Sequence, residues 1–254
     1  MNPVKPNILV IGASGQLARS FMQLAKSAPI PISTIGRPAL DLADAKSVIH
    51  TIRDVEPSII LNAAAYTAVD AAESNKEEAF LINAEGPKLL AQLAQEYDIP
   101  LIHISTVYVF GGCKAQPWSE SDPTSPLGVY GESKLAGEQA IASETSNHII
   151  FRNAWVYSQY GSNFVKTLLR LAASRDEISV VDDQYGNPTY APHLAEAVTM
   201  VCEQLGREPE NAKVNRGVFH LAGEGSATWA QLAESVFEEA ERQGLPSAKV
   251  LPIT

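Results

Sequence analysis

The sequence predicts an α/β protein: a doubly wound parallel sheet followed by a smaller C-terminal part. Three observations carry that prediction. Short apolar runs recur at residues 7–11, 31–35, 58–62, 100–104 and 148–152. The segments between them have helical periodicity, and a glycine-containing turn follows the first run directly. Buried strands alternating with helices mean βαβ units and a sheet covered on both faces.

The first run leads into "VIGASGQLA", after which Leu17, Phe21, Leu24 and Ala25 recur on one helical face. Residues 73–97 are rich in Ala, Leu and Glu, and Gly86-Pro87 is expected to kink or divide a long helix there. Past about residue 155 the rhythm loosens. Helices are expected near 162–174, 192–205 and 228–240, short strands near 178–181 and 217–221, and a loop over "DDQYGNPTYAP" (182–192). The expected division is a dinucleotide-binding domain over 1–154 and a substrate-binding part over 155–254, with contributions that interleave.

Composition excludes several classes. The 254 residues are 45% apolar, enough for a full core, and contain no run of about 18 apolar residues that would span a membrane. "MNPVKPNILVIG" lacks the pattern of a signal peptide. Cys113 and Cys202 lie far apart, with neither disulfide nor metal spacing, so a cytoplasmic protein is expected. A formal charge of −10 argues against a nucleic-acid partner.

Gly12 and Gly15, between a strand and a helix, suit a Rossmann-type dinucleotide loop, with Ala18 as the small residue that follows. The second run closes on Gly36-Arg37, where an acid would hold the ribose of NAD. An arginine there suits a 2′-phosphate, which favours NADPH over NADH as the alternative. Asp41 follows closely, and "LNAAAYTAVD" ends the third run in small residues against which a flat ring can lie.

Tyr130 and Lys134, in "PLGVYGESKLAGE", stand one helical turn apart. A neighbouring ammonium favours the phenolate, so Lys134 is expected to bring Tyr130 toward working pH. The pair follows "LIHISTVYVF", a buried-looking run that nonetheless carries Ser105 and Thr106 near its carboxyl end, where doubly wound sheets bind ligands. Thr106 would hold a substrate carbonyl while Tyr130 supplies or removes its proton. His193 lies at a helix start without ligand-spaced partners and is read as structural. The sequence gives no indication for Mg²⁺ and no metal site.

Taken together, "GASGQLA", "NAAAYTAVDAAE", "STVYVFGG", "PLGVYGESKLAGE", "RNAWVYSQYGSNFV" and "DDQYGNPTYA" resemble, in content and order, the dTDP-4-dehydrorhamnose reductase family of the extended short-chain dehydrogenase/reductase superfamily. The resemblance implies cofactor contacts from Gly15, Gln16, Leu17, Asp41, Leu42, Ala64, Ala65, Tyr66 and Thr67, beside Gly12 and Arg37. It implies a catalytic group of Thr106, Tyr130 and Lys134, and substrate contacts from Thr106, Val107, Tyr108 and Trp155. The implied reaction is NADPH-dependent reduction of a C4 ketone, dTDP-4-dehydro-L-rhamnose to dTDP-L-rhamnose. The implied partner is that nucleotide sugar, with a homodimer as the expected assembly.

Two positions depart from the family's Ser-Thr-Asp-Tyr-Val-Phe-Asp-Gly pattern: Val107 and Gly111 occupy the aspartate places. Losing a carboxylate that meets a sugar hydroxyl is expected to relax discrimination there. The chain also stops at "KVLPIT", where family members continue. Two alternatives follow. A non-catalytic NADP-binding regulatory subunit is favoured by those changes and opposed by Thr106, Tyr130 and Lys134. An NAD-retaining epimerase or dehydratase is opposed by Arg37 and by the lack of an Asp-Glu pair after Thr106.

Overall fold

The computed structural model describes residues 7–112, 114, 116–207 and 216–254. Among these, a six-stranded parallel sheet runs in the order β10-β5-β4-β3-β1-β2. Its strands are β1 (Ile8–Ile11), β2 (Ile32–Ile35), β3 (Ile59–Asn62), β4 (Leu101–Thr106), β5 (His148–Asn153) and β10 (Gly217–His220). The order reverses between β1 and β3, which opens a crevice at their carboxyl ends.

Alternate residues of each strand feed opposite layers, so both faces are apolar. Ile8, Val10, Leu61, Ile102 and Phe151 pack under α1 (Gln16–Leu24) and α8 (Ala191–Arg207). Leu9, Ile11, Ile60, Leu101 and Ile150 pack under α2 (Ala45–Val55), α5 (Gly86–Glu96) and α6 (Val129–Glu144). The Asp44 side chain caps α2 by accepting from the Lys46 N–H at 3.0 Å.

The region expected as a long helix kinked or divided at Gly86-Pro87 is several pieces: α3 (Val69–Ala72), α4 (Lys76–Phe80), a π-helical turn (Leu81–Glu85) and then α5. Gly86-Pro87 divides the segment, as one of the two expectations had it, and opens α5 with proline in its first turn. The irregularity precedes it and aims Asn83 inward. Asn83 accepts from the Tyr66 N–H at 2.8 Å and donates to Tyr66 O and Ser133 Oγ, both at 3.0 Å.

Residue 155 marks where the chain leaves the large sheet, but not for good. Cys202, with Leu194, Val198 and Leu205, is buried in the core beneath β1 and β5, and β10 pairs with β5. A second core unites α7 (Phe164–Ala172), β7 (Glu177–Val181) and α9 (Trp229–Arg242), through Leu168, Val180 and Phe237. β12 (Lys249–Ile253) runs parallel to β7. The expected loop at 182–192 holds two short strands, β8 (Tyr185–Gly186), paired with β11 (Ala227–Thr228), and β9 (Thr189–Tyr190), paired with β6 (Val156–Tyr157). His193 lies at the α8 start, its ring edge-on to Tyr190. Cys113 lies outside the described residues. Among the described residues no helix is long and apolar enough to cross a membrane.

The most demanding polar feature joins β4, β5 and α6. Arg152 and Glu138, each 4% exposed, pair through Arg152 Nη2 and Glu138 Oε2 at 2.6 Å, and Ser105 Oγ donates to Glu138 Oε1 at 2.5 Å. Removing one partner strands the other charge away from water. Arg152→Leu should therefore cost about 3–5 kcal/mol, measured as a lower urea midpoint at unchanged m value.

Candidate functional site

A cleft of about 700 Å³ lies over the carboxyl ends of β1, β3, β4 and β5. At one end Gly12 leaves β1 with φ 122°, a conformation that glycine adopts and other residues avoid. Its N–H donates to Ile35 O at 2.7 Å, tying the turn to β2. Gly15 is the N-cap of α1, with no side chain capping the helix and no acid in the first turn. The first N–H groups of a helix have no intrahelical acceptor, and the dipole makes that end positive. Both properties fit a dinucleotide's diphosphate.

Arg37 stands exposed at the cleft wall just beyond β2, with Asp41 close by. One Asp41 oxygen already accepts from the Ala43 N–H at 3.0 Å, and the Asp41 N–H donates to Ser47 Oγ at the same distance. Leu42 is buried in the core with one edge on the cleft. Ala64, Ala65 and Thr67 form the wall beyond β3. Tyr66 turns away from it: its ring joins Ala72, Ala79 and Val129 in a small cluster, and its hydroxyl accepts from Asn75 Nδ2. The site therefore offers an anion-binding helix end, a guanidinium and a small-residue wall. This set fits NADP(H).

At the other end, "LIHISTVYVF" divides its two hydroxyls between duties. Both residues border the cleft; Ser105 Oγ satisfies the buried Glu138 carboxylate, while Thr106 Oγ1 accepts from the Tyr108 N–H at 3.2 Å. Tyr130, half-buried in the cleft wall, stands edge-on to Tyr108 with ring centroids 5.7 Å apart. Val107 does not border the cleft, although it was expected among the substrate contacts. It opens the short turn Val107–Val109, whose geometry reorients the chain after the strand.

Lys134 departs from expectation. It is 1% exposed, and Nζ donates to Ile104 O at 2.7 Å and sits 3.1 Å from His103 Nε2. Burial depresses its pKa to about 8, opposed by Glu138. Burial pushes Tyr130 up to about 12, opposed by hydrogen bonding from Thr106. In the ligand-free protein, desolvation outweighs any help from the lysine, so the phenol is fully protonated at neutral pH. That is the form a proton donor requires.

The wall contributed by the C-terminal part rests on an aromatic stack. Trp155, at φ 43°, lies parallel to Trp229 with ring centroids 3.5 Å apart, and Phe164 meets Trp229 edge-on. A Cβ on Gly186 would fall 2.3 Å from Trp155 Cε2, so only glycine lets the indole lie on that backbone. Gln16 is committed elsewhere than expected. Its side chain donates to Val156 O at 3.1 Å and accepts from Ser158 Oγ and Asn163 Nδ2 at 2.9 Å. Its backbone N–H remains at the open helix end. Sequence reasoning missed Trp229 and Asn153, which also line the cleft. Asn153 closes the β5 run and shared Thr106's signal, a polar residue ending a buried strand; Trp229 had no local signal.

The family profile described as "RmlD substrate binding domain" matches residues 6–254. A dTDP-4-dehydrorhamnose reductase of Sinorhizobium fredii is 47% identical over 230 residues, covering 91% of this chain and 77% of that protein. The chain belongs to the dTDP-4-dehydrorhamnose reductase family. The Escherichia coli K12 member is 43% identical over 246 residues, covering 95% of this chain and 81% of its own. The family member from Bacillus anthracis, solved in complex with NADP, superposes with a TM-score of 0.89 at 33% identity, covering 99% of this chain and 85% of that one.

The raised Tyr130 pKa is directly measurable. An ultraviolet titration of ligand-free protein, minus that of Tyr130→Phe, should show no phenolate absorbance below about pH 11. A difference signal appearing near pH 7–8 would mean that the lysine controls the tyrosine even without ligand.

Proposed function

We propose that this protein reduces the C4 ketone of a dTDP-4-dehydro-6-deoxy sugar, dTDP-4-dehydro-L-rhamnose, with NADPH. One observation carries the reading: an uncapped helix N-terminus and the Thr106–Tyr130 pair face a single cleft, in a chain 47% identical to such a reductase. We further propose that residues 155–190 and 223–254 form the substrate-binding part, around the Trp155–Trp229 stack. NADPH and nucleotide sugars are cytoplasmic metabolites, so this reading assigns the activity to the cytoplasm.

NADPH, when bound, supplies the hydride. The first turn of α1 holds its diphosphate, Arg37 its 2′-phosphate, and Ala64, Ala65 and Thr67 its flat rings. Thr106 orients the ketone oxygen by hydrogen bonding. Tyr130 releases its proton to that oxygen as negative charge develops there. With a pKa of about 12 in the ligand-free protein, it holds that proton until a strongly basic oxygen appears. Lys134 then faces a neighbouring phenolate. The indole stack gives the 6-deoxy edge of the sugar an apolar surface.

The regulatory-subunit alternative predicts NADPH binding without turnover, so a turnover assay separates the two. NADPH oxidation, with dTDP-4-dehydro-L-rhamnose generated in situ, should be robust in the natural protein and fall about 10²–10⁴-fold in Tyr130→Phe with NADPH affinity nearly intact. Absence of oxidation by the natural protein would overturn the reading. Arg37→Ala should weaken NADPH by about 1.5–3 kcal/mol and leave NADH almost unchanged. An unaltered preference would show that another group reads the 2′-phosphate.

A further inference from the structure

Beneath the cleft, a hydrogen-bond chain runs from β3 through β4 to α6 and has a determined polarity. It starts at the Ala64 N–H, which can only donate, and which meets Asn62 Oδ1 at 3.1 Å. That contact fixes the orientation of the Asn62 amide, so the group facing His103 Nδ1, at 3.1 Å, is the Nδ2 donor. His103 Nδ1 must therefore accept. A neutral imidazole that accepts at Nδ1 carries its proton on Nε2. That N–H lies 3.1 Å from Lys134 Nζ. An ammonium has three donors and no acceptor, so it cannot meet an N–H productively. A neutral amine can: it accepts from His103 Nε2–H, donates to Ile104 O at 2.7 Å, and keeps one N–H for the cleft it borders.

We propose that the Ala64–Asn62–His103 chain stabilises the neutral amine of Lys134 in the ligand-free protein, and that binding of an anionic dinucleotide recharges the neutral fraction by proton uptake. On protonation the amine loses its lone pair, parts from His103 Nε2–H and turns toward the bound anion. His103 is thus a positioning residue: it touches neither substrate nor cofactor and acts through Lys134. The inference rests on the dinucleotide reading given above.

The surroundings agree. His103 and Asn62 are fully buried, and burial keeps the imidazole well below its ordinary pKa, hence neutral. The titratable groups facing Lys134 are His103 from β4, and Tyr130 and Glu138 from its own helix. Tyr108 follows β4 and adjoins Tyr130, while Arg152 on β5 engages Glu138. Tyr130 is protonated at neutral pH, and the Glu138 charge is taken up by Arg152 and Ser105. Its residual pull on Lys134 favours the ammonium, against burial. Since burial leaves the lysine near 8, coupling is clearest just above that pH.

Two measurements on the full chain test this. Imidazole ¹⁵N chemical shifts in ligand-free protein report the His103 tautomer without any mutation: Nε2–H is expected, and Nδ1–H would overturn the proposal. Calorimetric titration with NADP⁺ at about pH 8.5, in two buffers of different ionisation enthalpy, counts protons taken up. About three-quarters of a proton per NADP⁺ is expected at that pH, the share of Lys134 left unprotonated by a pKa of about 8, falling to about a tenth near pH 7. Asn62→Asp reverses the polarity of the chain, because a carboxylate accepts from both Ala64 N–H and His103 Nδ1–H. That variant should bind NADP⁺ with uptake at pH 8.5 reduced several-fold. NADP⁺ binding without uptake in the natural protein would leave the cofactor reading standing and overturn the coupling alone. No binding heat at all would remove the cofactor reading and the coupling with it.

Discussion

The site depends on how α6 is held against β4. Tyr130, Lys134 and Glu138 follow one another at single-turn intervals along one face of the helix. Each reaches a different level of the strand: Thr106, then Ile104 O with His103, then Ser105 backed by Arg152. This seam is polar and lies where water cannot compensate a lost partner, so its geometry is all-or-none. A slip of the helix by one residue would break all three levels together. An apolar seam would bind α6 as tightly but tolerate sliding, which a proton donor cannot.

The frame was legible in the sequence because its signals are local. β1 to β5 are short apolar runs whose alternate residues feed two layers, and α1 shows its buried face as Leu17, Ala18 and Phe21. The glycine turn and the Tyr130–Lys134 spacing are equally local, so the residues at both ends of the cleft could be named before any coordinates. The two hydroxyls of Ser105 and Thr106 were visible as an anomaly in an apolar run. Which of them would satisfy the buried Glu138 carboxylate was not, because only the position of α6 distinguishes them.

What escaped was long-range. The π-helical turn at Leu81–Glu85 has no composition signature; it exists because Asn83 must reach both Tyr66 and Ser133. Trp229 meets Trp155 only after the chain has crossed the sheet and returned. Gln16 looked like a cofactor ligand from its place in the glycine loop, but its amide is spent on residues about 140 positions away. Lys134 was expected to charge its neighbour; instead, burial and a histidine below it govern its own protonation. In each case the decisive contact joins segments that no window of sequence contains.

The edge strand β10 has a consequence for how the protein is made. Until Gly217–His220 leaves the ribosome, β5 presents an unpaired row of backbone donors and acceptors, and the layer under β1 and β5 lacks Leu194, Val198 and Cys202. Strand β4 and helix α6, which carry Thr106, Tyr130 and Lys134, are synthesised well before the elements that close the sheet around them. The nascent chain must therefore carry β4 and α6 on an open, apolar-faced sheet throughout the synthesis of the C-terminal part. Exposed strand edges and uncovered apolar faces invite pairing with other chains. The interleaved order of the polypeptide thus makes the rate of translation, and the protection available during it, part of what determines the yield of active protein.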